Sequence, residues 1–221
     1  MNYEEIFIRN PIGVRNILKT STVGIAGCGG LGSNIAVTLV RSGVGKLIIA
    51  DHDKVEISNL NRQFFFLEDV GRYKVEAIQK YLLQINTRVK IRAVKRKITL
   101  DNFNCFFGMA DVMIEAFDKA ETKKWMISQW VKDYPHIPLI CASGLSGYGK
   151  SEDLKTEKVG NVYVCGDQIT SSDYDGLCAS RVALVASMQA NKAVELLMDE
   201  VYNDYSQQQR QDQVEKRHYG S

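Results

Sequence analysis

The sequence Thr22-Val-Gly-Ile-Ala-Gly-Cys-Gly-Gly-Leu-Gly-Ser33 decides the fold. Its first five residues form a short apolar run, which is typical of a buried parallel strand. The glycine cluster follows, and then a segment from Ser33 to Ser42 that we predict to be a helix ending at Gly43. Glycines let the backbone approach a phosphate, and a helix N-terminus presents free N–H groups to it. The stretch therefore predicts a strand, a nucleotide-binding loop and a helix.

A carboxylate follows the next predicted strand. The apolar segment from Lys46 to Ala50 ends in Asp51, nineteen residues after Gly32. In dinucleotide-binding folds, a carboxylate at this place accepts hydrogen bonds from ribose hydroxyls. Taken alone, this pattern favours NAD, which keeps an NAD-dependent oxidoreductase among the alternatives.

Predicted strands and helices alternate along the rest of the main domain. This order predicts an α/β fold, a doubly wound, Rossmann-like and mostly parallel sheet with an antiparallel C-terminal extension over Val159 to Cys165. The predicted helices and strands beyond the opening stretch are Tyr73 to Ile85, Val89 to Ala93, Leu100 to Phe107, Asp111 to Phe117, Ala120 to Lys132, Pro138 to Ala142 and Arg181 to Tyr202. We divide the chain into an N-terminal arm (1–20), a main domain (21–204) and a polar tail (205–221) that we expect to be disordered.

The composition excludes several classes of protein. The 221 residues include 28 Lys plus Arg against 26 Asp plus Glu, and 45% are hydrophobic, which indicates a globular protein without a nucleic-acid-binding charge pattern. The five cysteines contain no C-x-x-C pair, so we expect no zinc site. An acidic N-terminus and the lack of a long apolar run predict a cytoplasmic protein that does not contact a membrane.

Two cations favour ATP over NAD. Arg62 follows the second strand within Asn59-Leu-Asn-Arg-Gln63, and Lys74 lies just inside the next helix. If both converge on the glycine loop, they suit a triphosphate whose leaving pyrophosphate must be neutralised. For either residue alone, a solvated surface charge is the ordinary interpretation.

Asp118 lies just past the fourth predicted strand, at the carboxyl edge where open α/β sheets bind ligands. A carboxylate there can hold Mg²⁺ against phosphate oxygens. A lone Asp before a helix is more commonly an N-cap, and that alternative stays open.

These residues, in this order and spacing, resemble the ThiF/MoeB/HesA superfamily, the prokaryotic relatives of ubiquitin-activating enzymes. The resemblance runs from about Pro11 to Glu200, and the Asn-Leu-Asn-Arg-Gln block makes it specific. Within the superfamily, the chain is most similar to the short ThiF branch of thiamine biosynthesis. The segments that support this branch are Ala142 to Gly149, Cys165 to Asp167, Gly176 to Val182 and Gln189 to Asn191.

The resemblance implies a role for each matching residue, and residues 21–204 become a ThiF-type ATP-binding adenylation domain. Arg62, Lys74, Asp118 and Arg9 would be catalytic, Asp118 would hold Mg²⁺, and Asp53 would be the main ribose partner. Arg9 would enter the partner subunit's site in a homodimer, with Arg15 as the fallback. The residues that would bind the nucleotide are Gly27, Gly29, Gly30, Leu31, Gly32, Asp51, Asp53, Asn61, Arg62, Gln63 and Lys74.

The reaction implied by the resemblance is adenylation of a small ubiquitin-like sulfur carrier protein. ATP would activate the C-terminal glycine carboxylate of a ThiS-like carrier as an acyl-AMP, and sulfur would then displace AMP to form a thiocarboxylate for thiazole synthesis. The carrier's Gly-Gly tail would pass beneath a crossover segment, for which we nominate residues 166–176.

The sequence departs from the superfamily pattern in three places. Many relatives bind zinc through two C-x-x-C pairs that this chain lacks. Some relatives use a cysteine on the crossover segment as a nucleophile; Cys178 lies nearest that place, but we interpret it as a structural thiol. Lys119 and Lys123 stand where relatives often have Asn and Arg, so their roles stay open.

Three rival functions remain beside the ThiS-like one. The same chemistry could serve a molybdopterin-synthase carrier, as in MoeB, or a cyclic tRNA modification, although the near-neutral net charge argues against the RNA substrate. The hypothesis of an NAD-dependent oxidoreductase is supported by the glycine pattern alone. A scaffold that binds a carrier without activating it would not need Asp53, Arg62, Lys74 and Asp118.

Overall fold

The computed structural model describes the backbone of residues 3–218 and the side chains of residues 4–199. Its centre is a seven-stranded sheet in the order β3-β2-β1-β4-β5-β7-β6. All neighbouring strands are parallel except β6 and β7, so the sheet is mostly parallel with an antiparallel edge. The strands are β1 Thr22–Ala26, β2 Lys46–Ala50, β3 Lys90–Val94, β4 Val112–Glu115, β5 Leu139–Ala142, β6 Lys155–Val159 and β7 Val162–Gly166.

Helices cover both faces of the sheet and bury its apolar residues in two clusters, one on each side. One cluster lies under α2, α3 and α7, and the other contains Met126 and Trp130 of α5. This two-sided cover explains why β1 and β4 are near-continuous apolar runs. The helices are α1 Val14–Leu18, α2 Gly30–Ser42, α3 Lys74–Ile85, α4 Phe103–Phe107, α5 Ala120–Asp133, α6 Ser172–Asp175 and α7 Ala179–His218.

The antiparallel extension differs in detail from the prediction. The segment predicted to be antiparallel is mostly β7, which pairs parallel to β5, whereas the antiparallel strand is β6. The two strands are joined at Gly160, whose φ of +61° suits a tight turn. Four of the five residues of β6 are polar (Lys-Thr-Glu-Lys), and this edge strand has too weak an apolar pattern to be recognised.

Helix boundaries also differ from the prediction at two places. α2 begins at Gly30, so the last glycines of the loop already belong to its first turn. α7 continues to His218, well beyond Tyr202. Because the side chains of residues 200–221 lie outside the described part, the disordered tail over 205–221 stays a prediction.

No helix in the described part of the chain combines the length and the apolar character that crossing a bilayer requires.

Candidate functional site

The candidate site lies where the strand order reverses. β1 and β4 are neighbours, yet the chain leaves them in opposite directions across the sheet, which opens a crevice at their carboxyl ends. The glycine loop follows β1, Asp51 follows β2, and Asp118 follows β4. The fold therefore brings three of the predicted site segments to one edge.

The predicted nucleotide-binding glycines divide into two groups. A Cβ on Gly27, whose φ is +101°, would lie 2.6 Å from the carbonyl oxygen of Ala116, and one on Gly32 would lie 1.9 Å from that of Gly27. These two glycines are needed for packing of the loop against β4 and α2. A Cβ on Gly29 would meet only Gln63 Nε2, at 3.7 Å, so this part of the loop is open to a ligand.

Leu31 and Cys28 of the loop point inward. The side chain of Leu31 is 5% exposed and belongs to the core, so this residue can offer a nucleotide only its backbone. Burial also raises the pKa of the Cys28 thiol well above its ordinary value, and the thiol is therefore not a nucleophile.

Asp51 braces two loops. Its carboxylate accepts a hydrogen bond from the N–H of Cys28 at 2.7 Å and another from the N–H of Asp53 at 2.8 Å. The side chain thereby fixes the glycine loop relative to the segment that carries Asp53. These contacts position the two loops, and the ribose contact expected of Asp51 stays a prediction.

Asp53 and Lys74 form an ion pair beside this brace. Lys74 Nζ lies 3.1 Å from Asp53 Oδ2, and the Lys74 N–H donates to the Asp53 carbonyl at 3.0 Å. The Lys74 side chain is buried, whereas that of Asp53 is about half exposed. His52 Nε2 lies 3.5 Å from Asp53 Oδ1. The pair therefore offers an accessible carboxylate held in place by a buried ammonium.

Arg62 lies against the glycine loop. A Cβ on Gly30 would meet its side chain at 3.6 Å, and Asn34 of α2 donates to its carbonyl at 3.0 Å. The guanidinium donates to the Ser58 carbonyl at 3.0 Å and to Asn61 Oδ1 at 2.8 Å. The aliphatic part of the Arg62 side chain thus lies against the glycine loop, while Ser58 and Asn61 hold its guanidinium.

Asn61 and Gln63 flank this arginine in different ways. Asn61 Nδ2 donates to the carbonyl of Leu177 at 3.1 Å, which links the site to the start of α7. Gln63 is buried, and its Oε1 has no hydrogen-bond partner among the described residues. Asn61 thus acts at the rim of the site, and Gln63 carries an unsatisfied acceptor beside the glycines.

Asp118 is exposed just beyond β4. The N-cap of α5 is Lys119, and no side chain caps the helix, so the alternative role of Asp118 as an N-cap is wrong. No hydrogen bond or ion pair joins its carboxylate to another residue within 4–199. Oxygen ligands of this kind are those that Mg²⁺ prefers.

Glu115 is a site residue that the sequence analysis missed. It ends β4, is fully buried, and accepts hydrogen bonds from Lys123 Nζ at 2.7 and 3.0 Å and from the Phe117 N–H at 2.7 Å. Burial raises the pKa of the Glu115 carboxyl, and the ion pair with Lys123 opposes that shift. Lys123 is therefore held by Glu115, and its role beside Asp118 is to pair with that buried carboxylate.

The two N-terminal arginines are in different environments. Arg9 is exposed and makes no hydrogen bond or ion pair within residues 4–199. Arg15 forms an ion pair with Glu4 and stacks over the Phe7 ring at 4.4 Å. Arg15 is thus engaged within its own subunit, whereas Arg9 is available to another one.

Cys178 immediately precedes α7 and is exposed. Its Sγ lies 3.3 Å from Ser180 Oγ, and its carbonyl accepts the Val182 N–H at 3.1 Å. The hydrogen bond from Ser180, together with backbone N–H groups of the first turn, lowers the pKa of the Cys178 thiol. Cys178 is thus exposed, and the interpretation of it as a structural thiol did not anticipate this position.

A second buried ion pair lies at the base of the crossover segment. Arg181 and Asp167 pair through Nη2 and Oδ2, and both side chains are almost completely buried. Neither residue has a predicted role, because a pattern of charges in the sequence does not distinguish a buried ion pair from two surface charges. Gly144 and Gly166 are the sequence signal for a tightly packed backbone at this place, because a Cβ on either would clash with atoms beside Asp167.

Comparison with known proteins gives a consistent result. The profile of the ThiF family matches residues 9–218. The sulfur carrier protein ThiS adenylyltransferase of Escherichia coli (strain K12) is 31% identical over 186 residues, which cover 81% of this chain and 73% of that protein.

The adenylyltransferase and sulfurtransferase MOCS3 of Anopheles gambiae is 27% identical over 206 residues, which are 89% of this chain and 46% of that protein. The chain thus spans about half the length of this relative. Among solved structures, E. coli tRNA N6-threonylcarbamoyladenosine dehydratase, TcdA, in complex with ATP superposes with a TM-score of 0.81 at 19% identity, covering 91% of this chain and 95% of that one. At that identity the superposition establishes the fold.

Proposed function

The chain belongs to the ThiF family, and from this premise we propose that it is an ATP-dependent adenylyltransferase acting on a ThiS-like sulfur carrier protein in thiamine biosynthesis. The observation that supports this most is the meeting, at one sheet edge, of an open glycine loop, the Arg62 side chain that packs against it and the Asp53–Lys74 ion pair. An arginine beside this loop suits a triphosphate, because its guanidinium can neutralise the leaving pyrophosphate.

In the proposed reaction, one oxygen of the carrier's C-terminal carboxylate attacks the α-phosphorus of ATP. The bond from that phosphorus to the bridging oxygen of the β-phosphate breaks, and pyrophosphate leaves with the electron pair. The nucleophile is already an anion, so no general base is required. Catalysis consists of positioning and of neutralising negative charge on the phosphates.

Each residue has a place in this scheme. Gly29 and Gly30 present backbone to the phosphates, Asp53 accepts ribose hydroxyls, and Lys74 holds Asp53 and adds positive charge. Arg62, steadied by Asn61, neutralises the leaving pyrophosphate. Asp51 acts indirectly, because it keeps the two loops in register.

Asp118 is the residue that would hold Mg²⁺. Its exposed carboxylate has no partner among residues 4–199, and it follows β4 at the edge where the glycine loop opens. The ion would supply further neutralisation of phosphate charge. Glu115 does not fit this role, because its carboxylate is buried and satisfied by Lys123 and the Phe117 N–H.

We place Arg9 in the site of a second subunit. Its side chain is exposed and has no partner among residues 4–199 of its own subunit, whereas Arg15 is occupied by Glu4 and Phe7. A homodimer would bring this unpaired cation to the phosphates.

The proposed activity is tested by exchange of labelled pyrophosphate into ATP with Mg²⁺, using ThiS-like and molybdopterin-synthase carriers in parallel. Exchange requires reversible formation of the acyl-adenylate, so a signal with the ThiS-like carrier alone supports the proposal. A signal with the other carrier alone assigns a MoeB-like role. Binding of NADH without ATP would instead favour the oxidoreductase.

Activation of a carboxylate on tRNA is a second candidate, and one observation favours it. Residues 88–97 contain six basic and no acidic residues along edge strand β3 and the turn after it, and all six are exposed. The near-neutral net charge of the whole chain does not reveal this local basic patch. The Asp51 N–H donates to the Val94 carbonyl at 3.1 Å, so the patch ends beside the candidate site.

The RNA candidate is tested by binding of unmodified bulk tRNA at two salt concentrations. It predicts binding that weakens steeply with salt and that the double variant Arg96→Ala with Lys97→Ala reduces, with Lys132→Ala on the other side of the sheet as the control. Equal weak binding by all forms would reject it.

A further inference from the structure

We infer that Asp167 and Arg181 are a positioning pair that fixes the crossover segment, residues 166–176, against the phosphate-binding part of the site. The inference builds on the proposed adenylation, because it assigns to this pair the alignment of the acyl substrate. Neither residue is placed in contact with ATP.

Asp167 organises the beginning of the segment. Its Oδ1 accepts the N–H groups of Ile169 at 2.8 Å and Thr170 at 2.9 Å, and the Thr170 hydroxyl donates to both carboxylate oxygens. Burial acts against ionisation, but these hydrogen bonds and Arg181 hold the pKa of Asp167 below its ordinary value. The carboxylate therefore holds the first turn of the segment in one conformation.

Arg181 ties this turn to two other parts of the chain. It lies in the first turn of α7, pairs with Asp167, and donates from Nη1 to the carbonyls of Gly149 at 2.5 Å and Lys150 at 3.1 Å. One guanidinium thus joins the crossover segment, the loop after β5 and the last helix. A lysine could not make these contacts together, because its ammonium lacks the planar fork.

The backbone leaves no room for this arrangement to shift. A Cβ on Gly144 would lie 1.8 Å from Asp167 Oδ1, and one on Gly166 would lie 1.9 Å from the Ser143 carbonyl oxygen. Both glycines have positive φ values, +71° and +129°. The strand ends that carry the segment are therefore packed at backbone contact around the carboxylate.

The other end of the segment is tied to the phosphate-binding residues. Gly147 donates to the Gly176 carbonyl at 2.9 Å, and Asn61, which also accepts from Arg62, donates to the Leu177 carbonyl. Val182, next to Arg181, packs against Gly30 of the glycine loop. These contacts hold both ends of the crossover segment at a fixed position relative to the loop that would bind the phosphates.

Stability alone does not account for this ion pair. Replacing a buried ion pair with apolar side chains of similar volume is commonly neutral or stabilising. In addition, Arg181 Nε is buried without a hydrogen-bond partner among the described side chains, which is unfavourable. The feature that the pair does supply is a single orientation for a segment whose Ile169 and Tyr174 side chains are exposed.

The first experiment measures hydrogen exchange of residues 167–177 by mass spectrometry in the full chain without ligands. In Arg181→Lys and Asp167→Asn, we expect exchange of this segment at least about tenfold faster than in the wild type, because the bonds to Ile169 and Thr170 open. The matched control is Trp130→Phe, which loses a partly buried hydrogen bond to the Ile137 carbonyl on the other side of the sheet. Unchanged exchange in the folded variants would overturn the inference.

The second experiment separates positioning from general damage. We expect the Kd for ATP alone to stay within about twofold, while the KM for the carrier in pyrophosphate exchange rises about tenfold and the kcat changes less. A parallel loss of ATP binding, KM and kcat, matched by Trp130→Phe, would show a purely structural role. If the wild type shows no pyrophosphate exchange with either carrier, the proposed function fails. The hydrogen-exchange experiment still decides whether Asp167 and Arg181 are a positioning pair.

Discussion

The Arg62 guanidinium and the Asp118 carboxylate can be removed without opening the core, because the first is half-buried and the second is exposed. We expect Arg62→Ala and Asp118→Ala each to lower the rate of pyrophosphate exchange about a hundredfold or more, since each loses charge stabilisation at the phosphates. The free energy of unfolding should change by less than about 1 kcal/mol. Initial rates and thermal unfolding measure the two effects.

Two exposed residues provide matched controls for these variants. Lys124→Ala removes a cation from α5, and Asp101→Ala removes a carboxylate before α4, both outside the candidate site. Both should retain wild-type exchange. Wild-type turnover by Arg62→Ala or by Asp118→Ala would remove that residue from the mechanism.

The Cys178 thiol offers a prediction that depends on pH. Its lowered pKa means that a larger fraction is thiolate near neutral pH, so it should react with iodoacetamide faster than Cys105, the other exposed cysteine. Ser180→Ala removes the main hydrogen bond, raises the pKa again and should slow alkylation at pH 7.5 roughly threefold. Peptide mass spectrometry over a pH series from 6 to 10 gives both rates.

The proposed chemistry does not use this thiol. Cys178→Ala should therefore leave pyrophosphate exchange unchanged. A loss confined to the later sulfur-transfer step would assign Cys178 a covalent role. An alkylation rate that is the same with and without Ser180 would contradict the hydrogen bond as the cause of its reactivity.

At the scale of elements, the glycine loop allows its packing and ligand roles to be separated. Gly32→Ala would place a methyl group 1.9 Å from the Gly27 carbonyl oxygen and should reduce the free energy of unfolding by about 3 kcal/mol or prevent folding. Gly29→Ala meets only Gln63, at 3.7 Å, so the variant should fold normally and raise the Kd for ATP about tenfold. Urea denaturation measures the stability of the two variants, and calorimetric titration measures their Kd for ATP. An equal loss of stability in Gly29→Ala and Gly32→Ala would contradict this separation of roles.

The same loop shows which parts of the fold a sequence can predict. The strand before it is an unbroken apolar run and the glycines follow directly, so β1 and the loop were predicted with the correct ends of the strand. The polar edge strand β6 was not predicted, because its Lys and Glu residues are solvent-exposed and the segment has no alternation of apolar and polar residues.

The site was predictable to the extent that its residues are adjacent in sequence to recognisable strands. Gly29, Asp53, Arg62 and Lys74 all follow β1 or β2, so the sequence alone is enough to propose them as site residues. Glu115 and Arg181 were missed, because their importance comes from burial, and burial of a charge depends on partners such as Lys123 and Asp167 that the fold supplies.

At the scale of the whole molecule, the proposed homodimer makes a quantitative prediction. Arg9→Ala and Arg62→Ala should each be inactive alone, because each damages every site. Mixed and allowed to exchange subunits, they should recover about a quarter of wild-type exchange, since half of the dimers are mixed and each contains one intact site. Analytical ultracentrifugation establishes the dimer.

The outcome discriminates between action within and between subunits. If Arg9 served its own site, the mixture would stay inactive, because every subunit would lack one of the two arginines. A monomer at assay concentration, with full activity, would remove Arg9 from the shared site altogether.

The position of α7 in the chain also governs when the site can form during synthesis. Gln189 of this helix donates to the Glu115 carbonyl at 3.2 Å, and Val182 packs on Gly30, so the strand end and the glycine loop at the crevice are supported by residues that are made after them. A ribosome-bound chain that stops before Ala179 contains every predicted phosphate ligand yet lacks the support that aligns them. Nucleotide binding should thus begin only after α7 has emerged, which protects the nascent protein from engaging ATP before it can use it.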